Sequence, residues 1–421
     1  VNGASSAVFQ AWPCHFCNHH RDVTSTPAVR MCWIVAGHSR RRPTQLPTVT
    51  VSPAGCTRLH RKRGAMSDTP LLEARDVRKV YTGGSGVGGS GGGASTTVAV
   101  DHVSLAISAT EPTFTTLAGE SGSGKTTMAR LLLGLVSPTE GEVLYRGQPL
   151  SRLRGADRKN YRREVQAIFQ DPFEVYNPFY RVDHLLHVPL KRFGLAGSRQ
   201  ERQTKIEAAL EAVGLHPDET LGRYPHQLSG GQRQRITIAR ALLLQPRLII
   251  ADEPVSMVDA SLRATILQSL HRLYTEHGIS FIYITHDLTT AYQVSDQLVI
   301  LYGGTVVEAG PVETIVETPQ HPYTQELIGS IPAPRPGREW LQQRTQVRDE
   351  GEEILSIEHT GQDGCLYASR CAQVHGLCAR QRPALYRTRP GCAVSCYLYD
   401  DAPTLGHQGL HTLWTKGEQA S

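Results

Sequence analysis

The chain has 421 residues, of which 39% are hydrophobic and 20% are charged, a composition typical of globular proteins with room for about two or three domains. It contains no apolar run of about 18 residues, so we exclude a membrane-spanning helix and expect any membrane association to be peripheral. The formal net charge of +5 arises in residues 1–65, which hold nine Lys or Arg and one acid, and the acidic remainder disfavours a nucleic-acid partner.

Residues 1–65 show no helical or strand periodicity and are rich in Pro, Ser, Thr and His, so we expect loop or disorder there. A strand pattern begins shortly after Met66, and we expect the working protein to start at that methionine. Cys14 and Cys17 have the local spacing of zinc ligands, but the chain around them offers no matching second pair, which disfavours a metal site.

Apolar residues at strand spacing predict the first three strands, at residues 71–81, 97–107 and 113–118. The Gly- and Ser-rich stretch at 83–95 separates the first two and is expected to be a flexible loop. A helix is expected to begin at Lys125, directly after a glycine-rich segment.

Two later stretches, 248–251 and 280–284, are almost wholly apolar and lie between polar turns, which indicates strands buried on both faces of a parallel sheet. Charged helical patterns fill residues 155–214, and the alternation of strands with helices predicts an α/β domain. Residues 298–309 predict a hairpin across a Gly-Gly turn, and the Pro-rich stretch 332–337 predicts a linker.

Residues 119–127 indicate a phosphate-binding loop, because the sequence Gly-Glu-Ser-Gly-Ser-Gly-Lys-Thr-Thr follows a predicted strand and precedes a predicted helix. Backbone N–H groups of such a loop wrap the phosphates, while Lys125 would neutralise the outer two and Thr126 would complete a Mg²⁺ shell. A simple Gly-rich turn is the alternative, and the Lys-Thr-Thr ending disfavours it. The expected nucleotide-binding residues are Gly119, Glu120, Ser121, Gly122, Ser123, Gly124, Lys125, Thr126 and Thr127.

Asp252 and Glu253 follow a predicted buried strand, at the carboxyl edge of the sheet where phosphates bind in α/β proteins. We expect Asp252 to hold the Mg²⁺ hydration shell, and Glu253 to orient and deprotonate the attacking water. Two acids after a strand equally suit a helix N-terminus, and the order of motifs along the chain favours the phosphate site.

Three more side chains are candidates for the same site. His286 follows the strand at 280–284 and could bond the γ-phosphate and hold the water in line. Gln170 carries a neutral amide that could contact Mg²⁺ or the water. Tyr81, at the end of the first strand, could stack on adenine, although a place in the core suits it equally well.

Residues 228–232 read Leu-Ser-Gly-Gly-Gln and stand at the mouth of a predicted helix. There Ser229 and the backbones of Gly230 and Gly231 would offer donors and a positive dipole end to a terminal phosphate. Taken alone, these residues fit an ordinary capped turn at least as well, and the other motifs favour the phosphate.

In this order the motifs resemble those of the nucleotide-binding subunits of ABC transporters: an aromatic, a phosphate loop, a glutamine loop, a signature, an acidic strand end, a D-loop and a histidine. The resemblance runs from about residue 71 to 336 and implies a P-loop ATPase with a helical subdomain that binds ATP and Mg²⁺. The D-loop is Ser-Met-Val-Asp at 256–259, where the family more often has Ala-Leu in the middle.

The resemblance also implies that ATP is enclosed between two subunits. The residues that would contact the ATP of a partner subunit are Ser229, Gly230, Gly231 and Gln232, and Asp259 belongs to the D-loop at the same seam. One copy of each motif per chain therefore implies a dimer, either with itself or with a paralogous ATPase.

The importers of oligopeptides and dipeptides give a closer resemblance, to the second of their two ATPases. The segments that carry it are Gln170-Asp-Pro, Asn177-Pro178, Arg223-Tyr-Pro-His226, Asp252-Glu-Pro-Val-Ser256 and His321-Pro-Tyr-Thr324. It implies two permease subunits and, through them, a solute-binding protein as partners, and a peripheral position on the cytoplasmic face of the membrane. An oligosaccharide importer of the same branch, a soluble ABC ATPase and an idle regulatory subunit are the alternatives.

Residues 171–188 are expected to receive the coupling helix of the permease through the aromatic residues Phe173, Tyr176, Phe179 and Tyr180. A core of the helical subdomain explains the same composition equally well. The domain boundaries that we predict are 1–65, an ATPase domain at 66–331 with its helical subdomain at about 166–234, and a Cys-rich extension at 332–421.

The extension contains Cys365, Cys371, Cys378 and Cys396, with Cys392 nearby. The segment is similar to the C-terminal extension of the peptide importer branch, where some relatives hold an iron–sulfur cluster through such cysteines. Four thiolates suffice for one [4Fe–4S] unit, which is the favoured expectation. Zinc and free thiols are the alternatives.

Overall fold

The structure, a computed structural model, describes residues 69–82, 96–331, 364–405 and 410–413. The expectations for residues 1–65, for a start at Met66, for the loop at 83–95 and for the linker at 332–337 therefore lie outside the described residues. No helix in the described ranges is both long and apolar enough to cross a membrane.

The described residues form two sheets. Their strands are β1 (Leu72–Thr82), β2 (Thr96–Ile107), β3 (Phe114–Ala118), β4 (Glu140–Tyr145), β5 (Gln148–Pro149), β6 (Val165–Ile168), β7 (Leu248–Asp252), β8 (Ser280–Thr285), β9 (Gln297–Tyr302), β10 (Thr305–Pro311), β11 (Tyr386–Arg389) and β12 (Cys392–Val394). The smaller sheet has the order β2-β1-β4-β5 and the larger one the order β11-β12-β10-β9-β3-β8-β7-β6.

Helices connect the strands, as an α/β fold requires. They are α1 (Lys125–Leu132), α2 (Gly155–Glu164), α3 (Val182–Phe193), α4 (Arg199–Ala212), α5 (Pro217–Thr220), α6 (Gly230–Leu242), α7 (Ala260–His277), α8 (Leu288–Val294), α9 (Val312–Glu317), α10 (Pro322–Gly329) and α11 (Gly376–Arg380). In the stretch predicted as the helical subdomain, α3, α4 and α6 share a core with one face of the larger sheet.

The centre of the larger sheet is parallel: β3 pairs with β8 and β9, and β7 pairs with β6 and β8. Strands β7 and β8 are buried on both faces, as their apolar sequences predict. Ile250 and Ile282 join the core shared with α1 and the smaller sheet, whereas Ile249 and Phe281 join the core shared with the helical subdomain. These strands therefore form a rigid platform whose carboxyl ends can carry a site.

Two predictions about local structure have different outcomes. Strands β9 and β10 form the expected hairpin, with Tyr302 paired to Thr305 across a two-residue turn. The stretch 155–214 is not helical throughout, because β6 interrupts it and pairs in parallel with β7. Four residues are too short a run to show as a strand beside the charged helices that flank it.

The C-terminal segment, residues 364–405, is joined to the ATPase domain through the larger sheet. Strand β12 pairs antiparallel with β10, and β11 extends the sheet by one more strand. Ala393 and Val394 of β12 are fully buried, and Ala393 belongs to the same core as β1 and α1. This sheet pairing places side chains of the C-terminal segment close to those of the ATPase domain.

Candidate functional site

The candidate site lies where β3, β7 and β8 end. In the sheet register, Ala118 is opposite Thr285, and Asp252 is opposite Ile284. The segments that follow these three strands begin at Gly119, Glu253 and His286. Because parallel strands end at the same edge, the sheet itself brings together motifs that are far apart in sequence.

The phosphate loop (119–127) has a backbone that only glycine can adopt at two positions. Gly119 and Gly124 have φ angles of 149° and 99°, and a β-carbon would lie 2.2 Å from the carbonyl oxygen of Leu301 at the first and of Ala99 at the second. Gly124 takes the N-cap position of α1, so the loop delivers the chain directly into the helix N-terminus. Loop N–H groups and the helix dipole together favour an anion there.

Lys125 lies inside the curve of this loop and is buried. Its Nζ donates to the carbonyl oxygens of Gly119 at 2.8 Å and Glu120 at 2.7 Å. Burial lowers the pKa of Lys125, and the nearby carboxylates of Glu253 and Asp252 act in the opposite direction. A buried ammonium held by neutral carbonyls is well prepared to exchange them for phosphate oxygens.

Thr126 and Asp252 form a pair of oxygen ligands suited to Mg²⁺. The Thr126 hydroxyl donates to Asp252 Oδ1 at 3.4 Å, and both line a cleft of about 320 Å³ together with Gln170. Burial raises the pKa of Asp252, which a cation would offset. In the described ranges no group of three or more His, Cys, Asp or Glu could hold a metal ion. Mg²⁺ does not need such a group, since one or two carboxylates together with substrate phosphates commonly bind it.

Glu253 is held between Gln170 and His286. Gln170 Nε2 donates to Glu253 Oε2 at 3.0 Å, and His286 Nδ1 lies 2.9 Å from Glu253 Oε1. Glu253 has a left-handed φ of 45°, a conformation that costs a residue with a β-carbon about 1–2 kcal/mol. Its N–H donates to the Ile284 carbonyl, and Ser256 donates to its carbonyl oxygen, which fixes this backbone.

Tyr81 lies at the end of β1, opposite Thr97 of β2. Its side chain is exposed, and the Lys79 ammonium lies 5.2 Å from its ring centroid. The structure therefore places Tyr81 at the surface and excludes the core position that its sequence context allowed.

The signature residues begin α6. Ser229 is the N-cap: its hydroxyl accepts from the Gln232 N–H at 3.2 Å, and the Gln232 side chain accepts from the Ser229 N–H at 2.9 Å. The capped turn that the sequence allowed is thus formed. Gly231 is buried, and a β-carbon added to it would lie 2.8 Å from Leu262 Cδ1 of α7. The D-loop residue Asp259 is exposed and is the N-cap of the same helix. The signature consequently packs beside the D-loop (256–259).

The aromatic residues at 171–188 divide between surface and core. Phe173, Phe179 and Tyr180 are exposed, Phe179 to 86%. Tyr176 instead packs against the core of the helical subdomain and donates to the Arg233 carbonyl at 2.9 Å. The core explanation therefore holds for Tyr176, whereas Phe173, Phe179 and Tyr180 lie at the surface.

The cysteines converge without forming a metal site. The four that line one small pocket are Cys365, Cys371, Cys378 and Cys396. Cys392 lies apart from them in β12, where its Sγ would be 2.8 Å from a β-carbon added to Gly310. Burial raises the pKa of Cys365 and Cys371, and that of Cys396 to about 11.

The structure does not support the expectation of a [4Fe–4S] cluster. No group of three or more His, Cys, Asp or Glu among the described residues has the arrangement of metal ligands. The cysteines of the described chain are free.

Sequence reasoning missed two residues that contact the phosphate loop. The N–H of Glu120 donates to the Tyr323 hydroxyl at 2.8 Å, and both carboxylate oxygens of Glu120 accept from Arg370 at 3.0 Å. Tyr323 lies in the His-Pro-Tyr-Thr segment and Arg370 directly precedes a cysteine, but no local pattern links either to a loop 200 or more residues earlier.

Family comparisons agree with the geometry. Residues 100–256 match the model of the family described as ABC transporter, and residues 307–378 match that of the oligopeptide/dipeptide transporter C-terminal region. The putative oligopeptide transport ATP-binding protein YkfD of Bacillus subtilis is 39% identical over 339 residues, which are 80% of this chain and 98% of YkfD. The oligopeptide transport ATP-binding protein AppF of the same organism is 37% identical over 336 residues, which are 80% of this chain and 99% of AppF.

Among solved structures, the chain is similar to the ATP-binding cassette MJ0796 in a dimeric, post-hydrolysis state bound to ADP and Pi. The identity is 30% and the TM-score 0.50, over 57% of this chain and 99% of the cassette. The matched part thus corresponds to one complete cassette.

Proposed function

Since this chain belongs to the family of oligopeptide/dipeptide ABC transporter ATP-binding proteins, we propose that it powers the import of oligopeptides or dipeptides. It is an ATPase of the ABC class, and the proposal concerns what its hydrolysis drives and which residues carry it out. The observation that carries the proposal is the contact of Glu253 with both Gln170 and His286 beside the phosphate loop. A hydrolytic site needs a base held in this way.

ATP would bind with its phosphates in the phosphate loop. Backbone N–H groups of the loop and of the first turn of α1 would contact the phosphate oxygens, and Lys125 would transfer its hydrogen bonds from the loop carbonyls to the outer phosphates. Exposed Tyr81 would stack on the adenine. Thr126, Asp252 and Gln170 would hold Mg²⁺, which neutralises part of the phosphate charge when it is bound.

Glu253 would accept a proton from the water that attacks the γ-phosphorus. As the new oxygen–phosphorus bond forms, the bond to the β–γ bridging oxygen breaks, and ADP and phosphate leave. A carboxylate only accepts hydrogen bonds, so His286 Nδ1 must carry the proton in its contact with Glu253. To donate to the γ-phosphate, the second nitrogen, Nε2, would also have to carry a proton, as it does in the doubly protonated ring.

ABC ATPase domains work as dimers and with transmembrane permease components. We infer that Ser229, Gly230, Gly231 and Gln232 of one subunit complete the ATP site of the other, with the D-loop residue Asp259 at the seam. The side chains of Ser229 and Gln232 cap the N-terminus of α6 by bonding each other's backbone N–H groups. The N–H groups of Gly230 and Gly231 would be the donors to the γ-phosphate. The second subunit would be a copy of this chain or a paralogous ATPase.

The exposed rings of Phe173, Phe179 and Tyr180 would receive the coupling helix of a permease subunit, since exposed aromatic side chains are frequent anchors of protein interfaces. The chain would then lie peripherally on the cytoplasmic face of the membrane and act on the solute-binding protein through two permease subunits. The proposal includes no iron–sulfur cluster.

Transport by the complex of this chain with its membrane partners tests the proposal. The complex is reconstituted in vesicles, and uptake of a labelled tetrapeptide is compared with that of a labelled oligosaccharide of similar mass. We expect ATP-dependent uptake of the peptide. Uptake of the oligosaccharide alone would contradict the assignment of peptides but leave the ATPase assignment intact.

A further inference from the structure

The C-terminal segment contacts the phosphate loop at one residue, Glu120. Arg370 donates from both terminal nitrogens to the two oxygens of the Glu120 carboxylate, each at 3.0 Å. The Tyr323 hydroxyl accepts from the Glu120 N–H at 2.8 Å. The side chain and the backbone of a single loop residue are therefore held by two residues outside the loop.

Arg370 is itself fixed in place. It ends a short 3₁₀ turn, Ala368–Arg370, and its guanidinium also donates to Glu326 of α10 at 2.9 Å. The rings of Tyr302 and Tyr367 lie 5.9 and 5.6 Å from the guanidinium carbon. An arginine with a bidentate carboxylate partner and two aromatic neighbours has little freedom to take other positions.

Glu120 is an unfavourable residue for a phosphate loop. Its carboxylate lies on the loop that would receive the negative charges of a triphosphate, and like charges repel one another. Glu120 also influences Lys125: its carbonyl accepts from the Lys125 ammonium at 2.7 Å. A change in the position or charge of Glu120 therefore reaches the residue that neutralises the outer phosphates.

From these contacts we propose that Arg370 is a positioning residue of the ATP site, through which the C-terminal segment sets the affinity for ATP. Arg370 partly offsets the charge of Glu120, since it also pairs with Glu326, and together with Tyr323 it holds the loop in the shape that receives phosphates. The C-terminal segment is then part of the nucleotide site rather than an appendage. The inference rests on the proposed role of the phosphate loop.

The experiment uses the full chain and measures the binding of a fluorescent ATP analogue together with KM and kcat for ATP. We expect R370A to weaken binding about fivefold and raise KM by the same factor with little change in kcat, because exposed and half-exposed ion pairs contribute modestly. The double variant R370A/E120Q should regain most of the affinity, since the charge on the phosphate loop itself is gone. The control R380A removes an exposed arginine from the same segment and should bind ATP like the wild type.

Salt dependence separates this electrostatic effect from a general loss of stability. The defect of R370A should shrink between about 50 and 500 mM NaCl, because salt screens the repulsion between Glu120 and the phosphates. A fold that is merely loosened would bind poorly at both concentrations, and E120Q would not restore it. Either result, or wild-type affinity of R370A at low salt, overturns the inference.

The variant K125A distinguishes failure of the inference from failure of the proposed site. If K125A loses ATP binding while R370A binds normally, the phosphate loop is assigned correctly and the role of Arg370 is wrong. If K125A binds ATP like the wild type, the assignment of the loop is wrong, and the role of Arg370 fails with it.

Discussion

Replacing Glu253 with Gln should nearly abolish ATP hydrolysis while ATP binding remains. The substitution keeps the size of the side chain but removes the carboxylate that would take the proton from the attacking water. Positioned general bases contribute about 10²- to 10⁴-fold to a rate, so we expect kcat to fall by a factor in that range. ATP affinity should change by less than about threefold, because Lys125 and the phosphate loop are unaltered.

The contacts of Glu253 predict a small cost in stability. Its carboxylate faces two donors, Gln170 Nε2 at 3.0 Å and His286 Nδ1 at 2.9 Å. A glutamine amide has one oxygen and one NH₂ group, so one of these donors would face another donor and a hydrogen bond worth about 1 kcal/mol would be lost. Gln170 and His286 are exposed, and either can reorient to limit even this loss.

Phosphate release and nucleotide binding are measured for E253Q, for the wild type and for the control E276Q. Glu276 forms an exposed ion pair with Arg272 on α7, so its replacement should leave kcat unchanged. The trapped ATP state should also shift E253Q toward a dimer in size-exclusion chromatography. A kcat within about threefold of the wild type would refute Glu253 as the base.

Three other predictions concern the surface, the pH dependence and the cysteines. F179D should abolish peptide uptake by the reconstituted complex but spare basal hydrolysis. The control Y292D changes an exposed ring on α8 and should spare both activities. Loss of ATP binding in F179D would contradict the assignment of Phe179 to a docking surface. Burial lowers the pKa of His321 from 6.5 to about 4, and its Nδ1 accepts from the Tyr323 N–H, so stability from neutral His321 is present above pH 6.5 and is lost as pH falls toward 4. That loss should be about 3 kcal/mol in denaturant titrations, and an H321N variant with the same pH dependence would disprove its origin. Protein purified without oxygen should contain neither iron nor sulfide, and its thiols, Cys396 included, should react with Ellman's reagent after denaturation. Stoichiometric iron in the purified protein would contradict this and support the [4Fe–4S] cluster.

The parts of the fold that sequence reasoning predicts are those with strong local signals. Strands β7 and β8 are recognisable because almost every residue between the polar turns is apolar, as expected of strands buried on both faces. The Gly303-Gly304 turn specifies the β9–β10 hairpin in the same way. Strand β6 escapes notice, since four residues between charged helices carry too little pattern.

The residues of the candidate site likewise differ in how well the sequence predicts them. Lys125, Asp252 and His286 each lie at or soon after the end of a predicted strand, so their meeting at one sheet edge can be expected from the order of motifs. The contact of Arg370 with Glu120 cannot, because it depends on the position that the C-terminal segment takes when β11 and β12 are paired in the larger sheet. For Tyr81, only the exposed position in the structure decides between surface and core.

The most direct test of the account is ATP-dependent peptide uptake by the reconstituted complex, measured with the wild-type chain and with E253Q. The account predicts uptake of the labelled peptide in proportion to ATP hydrolysed by the wild type, and none above background with E253Q. Uptake that continues with E253Q, or hydrolysis by the wild type without any peptide entering the vesicles, would contradict it.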